Sequence, residues 1–268
     1  MAEIVLVHGA FHELWGPTRL GMRWAPSLMD GMWAAGVDVR GVPLDRIRSA
    51  LTVAFWGDLF RPAPLPLDEL TARLQEGDEG ASLEGIDLTE AAQALGGGGG
   101  LHGLSAAIAK ETQQRSMELL GRYFLEPEMR DRVHERVHRV LGEDTRVVVA
   151  HSMGTVIAYQ ALCSRDDLRI DQFVTLGSPL GTELVLGQLS PAPLDGTGPW
   201  PACVAHWTNV AAEGDLATMG APRLAEAFGS EVRDEYVFNG RHPHDIEPYL
   251  TAAETGRAVA SGLGLLSR

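Results

Sequence analysis

Ser152 lies where an apolar run gives way to a helical pattern, and this position makes it the first candidate for chemistry. The run Val147 to Ala150 is apolar and rich in valine, which is typical of a central parallel strand buried on both faces. Residues 155–162 carry the apolar spacing of a packed helix. The sequence therefore predicts that Ser152 occupies the turn between them, with the small residues Ala150 and Gly154 two positions to either side.

A serine at such a turn has two interpretations. It could cap the following helix, because serine is a favoured N-cap residue. It could also act as a nucleophile, provided that a histidine removes the hydroxyl proton and an acid orients that histidine. The rest of the chain must supply both partners if the second interpretation is to stand.

The segment Ala150-His151-Ser152-Met153-Gly154 resembles the nucleophile elbow of the α/β-hydrolases, in a form met in esterases and lipases. Alanine replaces the first glycine of the Gly-x-Ser-x-Gly pattern, and its one methyl group leaves the turn feasible. The resemblance covers Ile4 to Trp56 and Glu128 to Leu263. It implies an α/β-hydrolase fold in which the catalytic acid and then the histidine follow the serine along the chain, each after a later strand.

Asp215 is the catalytic acid that this order implies. It follows the predicted strand Cys203 to Val210 on a turn that contains a glycine. The pattern from Trp207 to Asp215 is similar to the acid loop of lipase-like hydrolases. Glu213, on the same turn, is the alternative acid.

His244 is the catalytic histidine that the order implies. The loop after the predicted strand Val232 to Phe238 carries two histidines, His242 and His244, ahead of a helix. We favour His244 because it stands a few residues before a Tyr-Leu pair, as the histidine of this family often does. His242 is the alternative, although the proline that follows it restricts its backbone.

Backbone N–H groups must bind the oxyanion of an acyl-transfer intermediate. The resemblance implies that Met153, directly after the serine, supplies one of them. The turn His8-Gly9-Ala10-Phe11 after the first strand resembles the family's His-Gly turn, and it implies a second donor at Ala10 or Phe11. His8 itself is expected to support this loop through hydrogen bonds rather than to act as an acid or base.

Apolar runs alternate with helical patterns along most of the chain, which is typical of a mostly parallel sheet with helices on both faces. The predicted strands are Ile4 to Val7, Val37 to Val42, Leu51 to Trp56, Arg146 to Ala150, Gln172 to Leu176, Cys203 to Val210 and Val232 to Phe238. The predicted helices are Ala25 to Ala35, Glu128 to Leu141, Thr155 to Leu162 and Ala252 to Leu263. The fold class expected from this pattern is α/β.

Residues 59–125 interrupt the alternation of strands and helices. They contain a proline-rich segment at Pro62 to Pro66, an acidic stretch from Glu76 to Glu90 and the five glycines Gly96 to Gly100. A compact domain does not need so long a crossover. We therefore expect an inserted cap or lid, with residues 1–58 and 126–268 forming the hydrolase core.

Composition restricts the partners that the protein can have. The 268 residues carry a net charge of −14, which disfavours nucleic acid and anionic membrane surfaces. No segment has the length of a membrane span, and the amino terminus lacks a signal-peptide pattern, so a cytoplasmic location is expected. Cys163 and Cys203 are expected to be small core residues. The sequence does not indicate an oligomeric state.

Two other motifs compete with the triad. His134-Glu135-Arg136-Val137-His138 matches His-Glu-x-x-His, which on a helix binds zinc through two histidines one turn apart. The apolar face of that helix leaves both histidines on a solvated flank, and a third ligand has no evident source. Ser178, before a proline, is expected to be a turn residue because it lacks the strand-to-helix turn.

These patterns together predict a lipase-like or esterase-like serine hydrolase that needs no cofactor or metal. Its substrate would be a carboxylic ester, thioester or lactone with an apolar acyl group, an expectation based on the apolar insert and on the lack of a signal for a cationic pocket. Acyl transfer or cyclisation on the same triad is an alternative. A relative that keeps the fold but only binds a ligand is another.

Overall fold

Runs of buried apolar residues form the strands at the centre of the fold. The computed structural model describes residues 2–39, 46, 49–64, 115–218 and 223–266. Within these residues six strands form one sheet: β1 (Ile4–Val7), β2 (Leu51–Ala54), β3 (Val147–His151), β4 (Gln172–Leu176), β5 (Trp207–Ala212) and β6 (Arg233–Val237). Their order is β2-β1-β3-β4-β5-β6, and every pairing is parallel.

Helices cover both faces of this sheet. In chain order they are α1 (Pro17–Ala34), α2 (Pro127–His138), α3 (Met153–Cys163), α4 (Glu183–Leu186), α5 (Leu224–Phe228), α6 (Ile246–Thr251) and α7 (Ala253–Gly262). On one face, α1, α6 and α7 pack on each other and on alternate strand residues such as Leu6, Val149 and Val174. On the other face, α3 packs on β1 and β3, and α2 packs on α3. The expected α/β fold class is confirmed.

The central strands are uninterrupted apolar runs because both of their faces are covered. All residues of β1, β3 and β4 are buried, whereas the edge strand β6 exposes part of its side chains. Since β3 pairs with β1 on one side and with β4 on the other, its last residue lies between the carboxyl ends of those two strands. Ser152, the next residue, therefore starts from the middle of the sheet's carboxyl edge.

Contacts divide the chain into two compact units. The first consists of Met1–Leu59 and Pro127–Arg268 and contains the sheet, and the second is Phe60–Glu126. In the second unit residues 115–125 are helical. Most of the predicted cap or lid, residues 65–114, lies outside the described residues, so that interpretation stays a prediction.

Two predicted elements differ from the structure. The strand predicted at Val37 to Val42 is wrong for residues 37–39, which are irregular, and residues 40–42 lie outside the described part of the chain. Val39 instead joins the core beside α1, so its apolar character reflects burial and not strand pairing. The first helix begins at Pro17 and continues through Pro26. The last predicted helix corresponds to α7, and α6 is a separate helix that ends before it.

No helix among the described residues is both long enough and apolar enough to cross a membrane.

Candidate active site

Ser152 lies on a strained turn between β3 and α3. Its backbone has a φ of 53° and a ψ of −131°, a conformation that side chains with a Cβ rarely adopt. The amide of Ser152 donates to the carbonyl of Leu176, and its carbonyl accepts from the amide of Thr155. The side chain makes no capping bond to α3. Ser152 therefore occupies the N-cap position, but its hydroxyl does not cap the helix.

Two glycines allow this turn to lie against the end of β1. A Cβ on Gly154 would be 2.6 Å from the carbonyl oxygen of Val7 and would also collide with the carbonyl of His8. A Cβ on Gly9 would be 2.8 Å from the Cβ of Ser152. Lack of space thus explains the small residue two positions after the serine.

The imidazole of His244 lies between Ser152 and Asp215. Its Nε2 is 2.9 Å from the hydroxyl oxygen of Ser152, and its Nδ1 is 2.9 and 3.0 Å from the two carboxylate oxygens of Asp215. A carboxylate only accepts hydrogen bonds, so Nδ1 carries the proton and Nε2 turns its lone pair toward the hydroxyl. Both separations lie within the range of about 2.6–3.2 Å that a nucleophile and its base require.

Asp215 is completely buried, and donors surround its carboxylate. The hydroxyl of Tyr249 donates to Oδ2 at 2.6 Å, and the amide of Ala217 donates to Oδ1 at 2.9 Å. Burial first, and then the charge of Asp215, raise the pKa of Tyr249, so the tyrosine stays protonated and remains a donor. A buried carboxylate without such donors would be strongly unfavourable.

The alternative acid and the alternative histidine both point elsewhere. Glu213 and His242 are exposed, whereas Asp215 and His244 contact each other. The structure thus brings together the three side chains named first in the sequence: Ser152, Asp215 and His244. Their catalytic roles stay a prediction.

The predicted oxyanion donors lie beside Ser152. Phe11 has a φ of 66°, which turns the backbone sharply after Gly9. Met153 is the first residue of α3, where an amide has no partner within its own helix. Among the described residues, no carbonyl accepts from the amide of Ala10 or Met153. Both amides are therefore available to an external acceptor.

His8 supports the loop that carries Ala10 and Phe11. Its Nδ1 donates to the carbonyl of Gly9 at 2.7 Å, and its Nε2 accepts from the amides of Trp56 and Gly57 at 3.1 and 3.2 Å. Burial lowers the pKa of His8 to about 3. The ring is neutral and uses both nitrogens for support, as expected from its position under the loop.

Ser178 braces the turn at Ser152 from the neighbouring strand. It is buried, its hydroxyl accepts from the amide of Leu180 at 3.2 Å, and it lies 2.8 Å from Oγ1 of Thr155. Oγ1 of Thr155 in turn donates to the carbonyl of Ser152 at 2.7 Å. Ser178 is therefore part of the support of the turn, which agrees with the structural role expected for it.

A cleft of about 260 Å³ opens beside Ser152. Aromatic side chains form much of its wall: Phe11, Trp15 and Trp24. Arg23 also lines the cleft, and its guanidinium pairs with the carboxylate of Glu247. The sequence shows no signal for this cation, because Arg23 is on α1 and belongs to none of the motifs. The structure therefore places a cationic group at the cleft that the sequence did not indicate.

The helix that carries His134 and His138 does not assemble a third metal ligand. The two rings are 5.9 Å apart, and Nε2 of His138 donates to the carbonyl of Ala161 at 3.2 Å. In the described part of the chain, no group of three or more histidine, cysteine or acidic side chains could hold a metal ion. Burial is the main reason why the pKa of His134 is lowered to about 4.

Comparison with known proteins finds no matching family model, no matching curated protein and no matching solved structure. The chemistry of the site therefore rests on its own geometry.

Proposed function

We propose that this protein is a serine hydrolase of the α/β-hydrolase type, which cleaves a carboxylic ester or a related thioester or lactone through an acyl-serine intermediate. The observation that carries the proposal is the unbroken line of hydrogen bonds from Asp215 through His244 to Ser152. The parallel sheet, with Ser152 directly after a central strand, is compatible with that family.

The first half of the reaction forms the acyl-enzyme. Oγ of Ser152 attacks the carbonyl carbon of the substrate while Nε2 of His244 takes the hydroxyl proton. Asp215 stabilises the imidazolium through its bond to Nδ1. The amides of Met153 and of Ala10 or Phe11 receive the negative charge that develops on the carbonyl oxygen. The imidazolium then gives its proton to the leaving alcohol or thiol.

The second half releases the acid. A water molecule gives a proton to Nε2 of His244 and attacks the acyl carbon, after which Ser152 regains its proton as the free acid leaves. The side chain of His244 is 42% exposed, so water can reach the base. This exposure is the reason why hydrolysis is proposed ahead of transfer to another acceptor or cyclisation.

The cleft supports a substrate with an apolar portion of modest size. Aromatic rings bury apolar surface well and form much of the wall of the cleft. The pair of Arg23 and Glu247 carries no net charge, so it does not by itself demand a charged substrate. A short acyl ester fits these properties.

Labelling with an alkyl fluorophosphonate tests the proposal, because this probe modifies only an activated serine. We expect one adduct on the peptide that contains Ser152 and none in the Ser152→Ala variant. The matched control is Ser164→Ala, at the opposite end of α3, which should be labelled at the rate of the unchanged protein. Folded protein that stays unlabelled at Ser152 would contradict the proposal. Turnover of p-nitrophenyl esters, thioesters and lactones then defines the substrate class.

A further inference from the structure

His151, the residue before the nucleophile, makes a contact that the proposed reaction does not use. It is the last residue of β3, and it is 6% exposed. Its Nε2 lies 2.9 Å from the backbone carbonyl oxygen of His244. A carbonyl only accepts, so Nε2 of His151 carries the proton and donates it.

The two imidazole rings also pack against each other. The ring centroids of His151 and His244 are 4.8 Å apart, and the planes are tilted by 37°. His151 thus holds His244 in two ways, through a hydrogen bond to its backbone and through a ring contact with its side chain.

The other nitrogen of His151 has no hydrogen bond. Nδ1 is buried and lacks a partner among the described residues. A Cβ placed on Gly9 would come within 3.3 Å of it, so Nδ1 faces backbone and not the open cleft. A buried acceptor without a donor is destabilising. An apolar side chain of similar size would fill this place without that cost. The hydrogen bond from Nε2 to the His244 carbonyl is therefore the one contact that histidine makes here and an apolar side chain could not.

The remaining backbone bonds described near His244 shape its loop but do not attach it to β3. Asn239 donates from Nδ2 to the carbonyl of Pro243 at 3.1 Å, and the amide of Asp245 donates to the carbonyl of His242 at 3.0 Å. Both bonds join residues three or four positions apart. The bond from His151 instead joins residues on two different elements, and it starts beside Ser152.

We propose that His151 is a positioning residue that ties the His244 loop to the nucleophile strand. Because Ser152 and His151 are consecutive, the bond sets the height of the His244 backbone relative to the serine hydroxyl. The imidazole then reaches Ser152 and Asp215 at the same time. This role rests on the function proposed above, and a displacement of about 1 Å at such a site can lower a rate 100-fold.

Two variants of equal length separate the hydrogen bond from the space that the side chain fills. His151→Gln keeps an N–H donor near the position of Nε2, and His151→Met fills similar space without a donor. The measurements are the rate constant of fluorophosphonate labelling, kcat and KM on p-nitrophenyl acetate, and thermal unfolding. We expect His151→Met to lower kcat and the labelling rate about 10- to 100-fold with KM within about twofold. His151→Gln should recover most of that loss.

The outcomes distinguish this inference from the proposed function. If the unchanged protein is not labelled at Ser152, both fail. If it is labelled and His151→Met reacts at the same rate, or if both variants are equally slow, only the positioning role fails.

A measurement on the unchanged protein covers the case in which His151→Met does not fold. Nitrogen NMR of the histidine rings reports which nitrogen of His151 bears the proton. A proton on Nε2 and a bare Nδ1 support the positioning role. A proton on Nδ1 overturns it.

Discussion

The two ends of the line that joins Ser152, His244 and Asp215 are held in different ways. At the serine end backbone packs on backbone, and Gly154 has no room for even one more carbon atom. At the acid end hydrogen bonds hold the carboxylate of Asp215, from the hydroxyl of Tyr249 and the amide of Ala217. A change at the serine end should therefore damage folding, whereas a change at the acid end should damage turnover and leave the fold intact.

Asp215→Asn should give the largest effect and keep the fold. Its neighbours His244, Tyr249 and Ala217 all donate hydrogen bonds to the carboxylate, so the N–H groups of an amide would face donors. We expect kcat on p-nitrophenyl acetate to fall about 10³- to 10⁴-fold, as when the orienting acid of a triad is neutralised. Steady-state kinetics and thermal unfolding together check both halves of this expectation.

Glu213→Gln is the matched control, since it alters an exposed acid on the same turn. Its kcat should stay within about twofold of the unchanged protein, in line with a surface substitution. Loss of activity in Glu213→Gln with retention in Asp215→Asn would show that the acid has been assigned to the wrong residue.

Gly154→Ala should show the opposite behaviour and lower stability. The new Cβ would collide with the carbonyls of Val7 and His8, and these belong to backbone that cannot move without disturbing β1. We expect the free energy of unfolding in urea to fall by about 1–3 kcal/mol, the usual effect of overpacking. In the control Gly16→Ala no atom lies within 4 Å of the added carbon, so stability should fall less, by the preference for glycine over alanine at the N-cap of α1 alone. If both variants are equally stable, the serine end does not depend on close backbone packing, and the contrast drawn with the acid end fails.

Acid pH should lower the free energy of unfolding through His8, which supports the loop at the serine end. We expect this effect to be smaller than those of Asp215→Asn and Gly154→Ala. The folded pKa of about 3 lies below the value of about 6.5 for a free histidine. Above pH 6.5 neither state is protonated, so His8 causes no loss of stability there. Below it the unfolded chain takes up a proton that the folded chain refuses. Stability should therefore fall by about 1 kcal/mol per pH unit from this histidine alone.

Urea unfolding at pH 6.5 and 5.5 measures this slope. His8→Gln should show a shallower dependence on pH, because the proton taken up on unfolding is removed. The same slope in both proteins would contradict the assignment of a buried neutral ring to His8.

Much of the serine end could be predicted because its signals are local. The valine run, the small residues around Ser152 and the following helical spacing all fall within a short segment. The strand predicted from Val37, which is absent at residues 37–39, shows where local signals fail. The valines there alternate with polar residues as in a strand, but whether such a segment pairs with a sheet depends on its tertiary surroundings.

The supporting residues of the acid end could not be predicted in the same way. In the sequence Tyr249 serves only to identify His244, as part of the Tyr-Leu pair that follows it. No pattern in the sequence indicates that its hydroxyl donates to Asp215. Elsewhere in the site, Arg23 on α1 lines the cleft and His151 on β3 contacts the His244 loop only because distant segments meet there. Such contacts depend on how α1, α6 and β3 pack, and no short pattern records that.

The sequence by itself determined that a serine stands on a tight turn after a buried strand, and that acids and histidines follow later strands. Only the tertiary structure decided that Asp215 and His244, not Glu213 and His242, turn toward it. The two acids share one loop and the two histidines share another, so spacing along the chain does not distinguish Asp215 from Glu213 or His244 from His242. The side chain that turns inward is set by burial, by surrounding donors and by contacts between strands, which exist only in the folded protein.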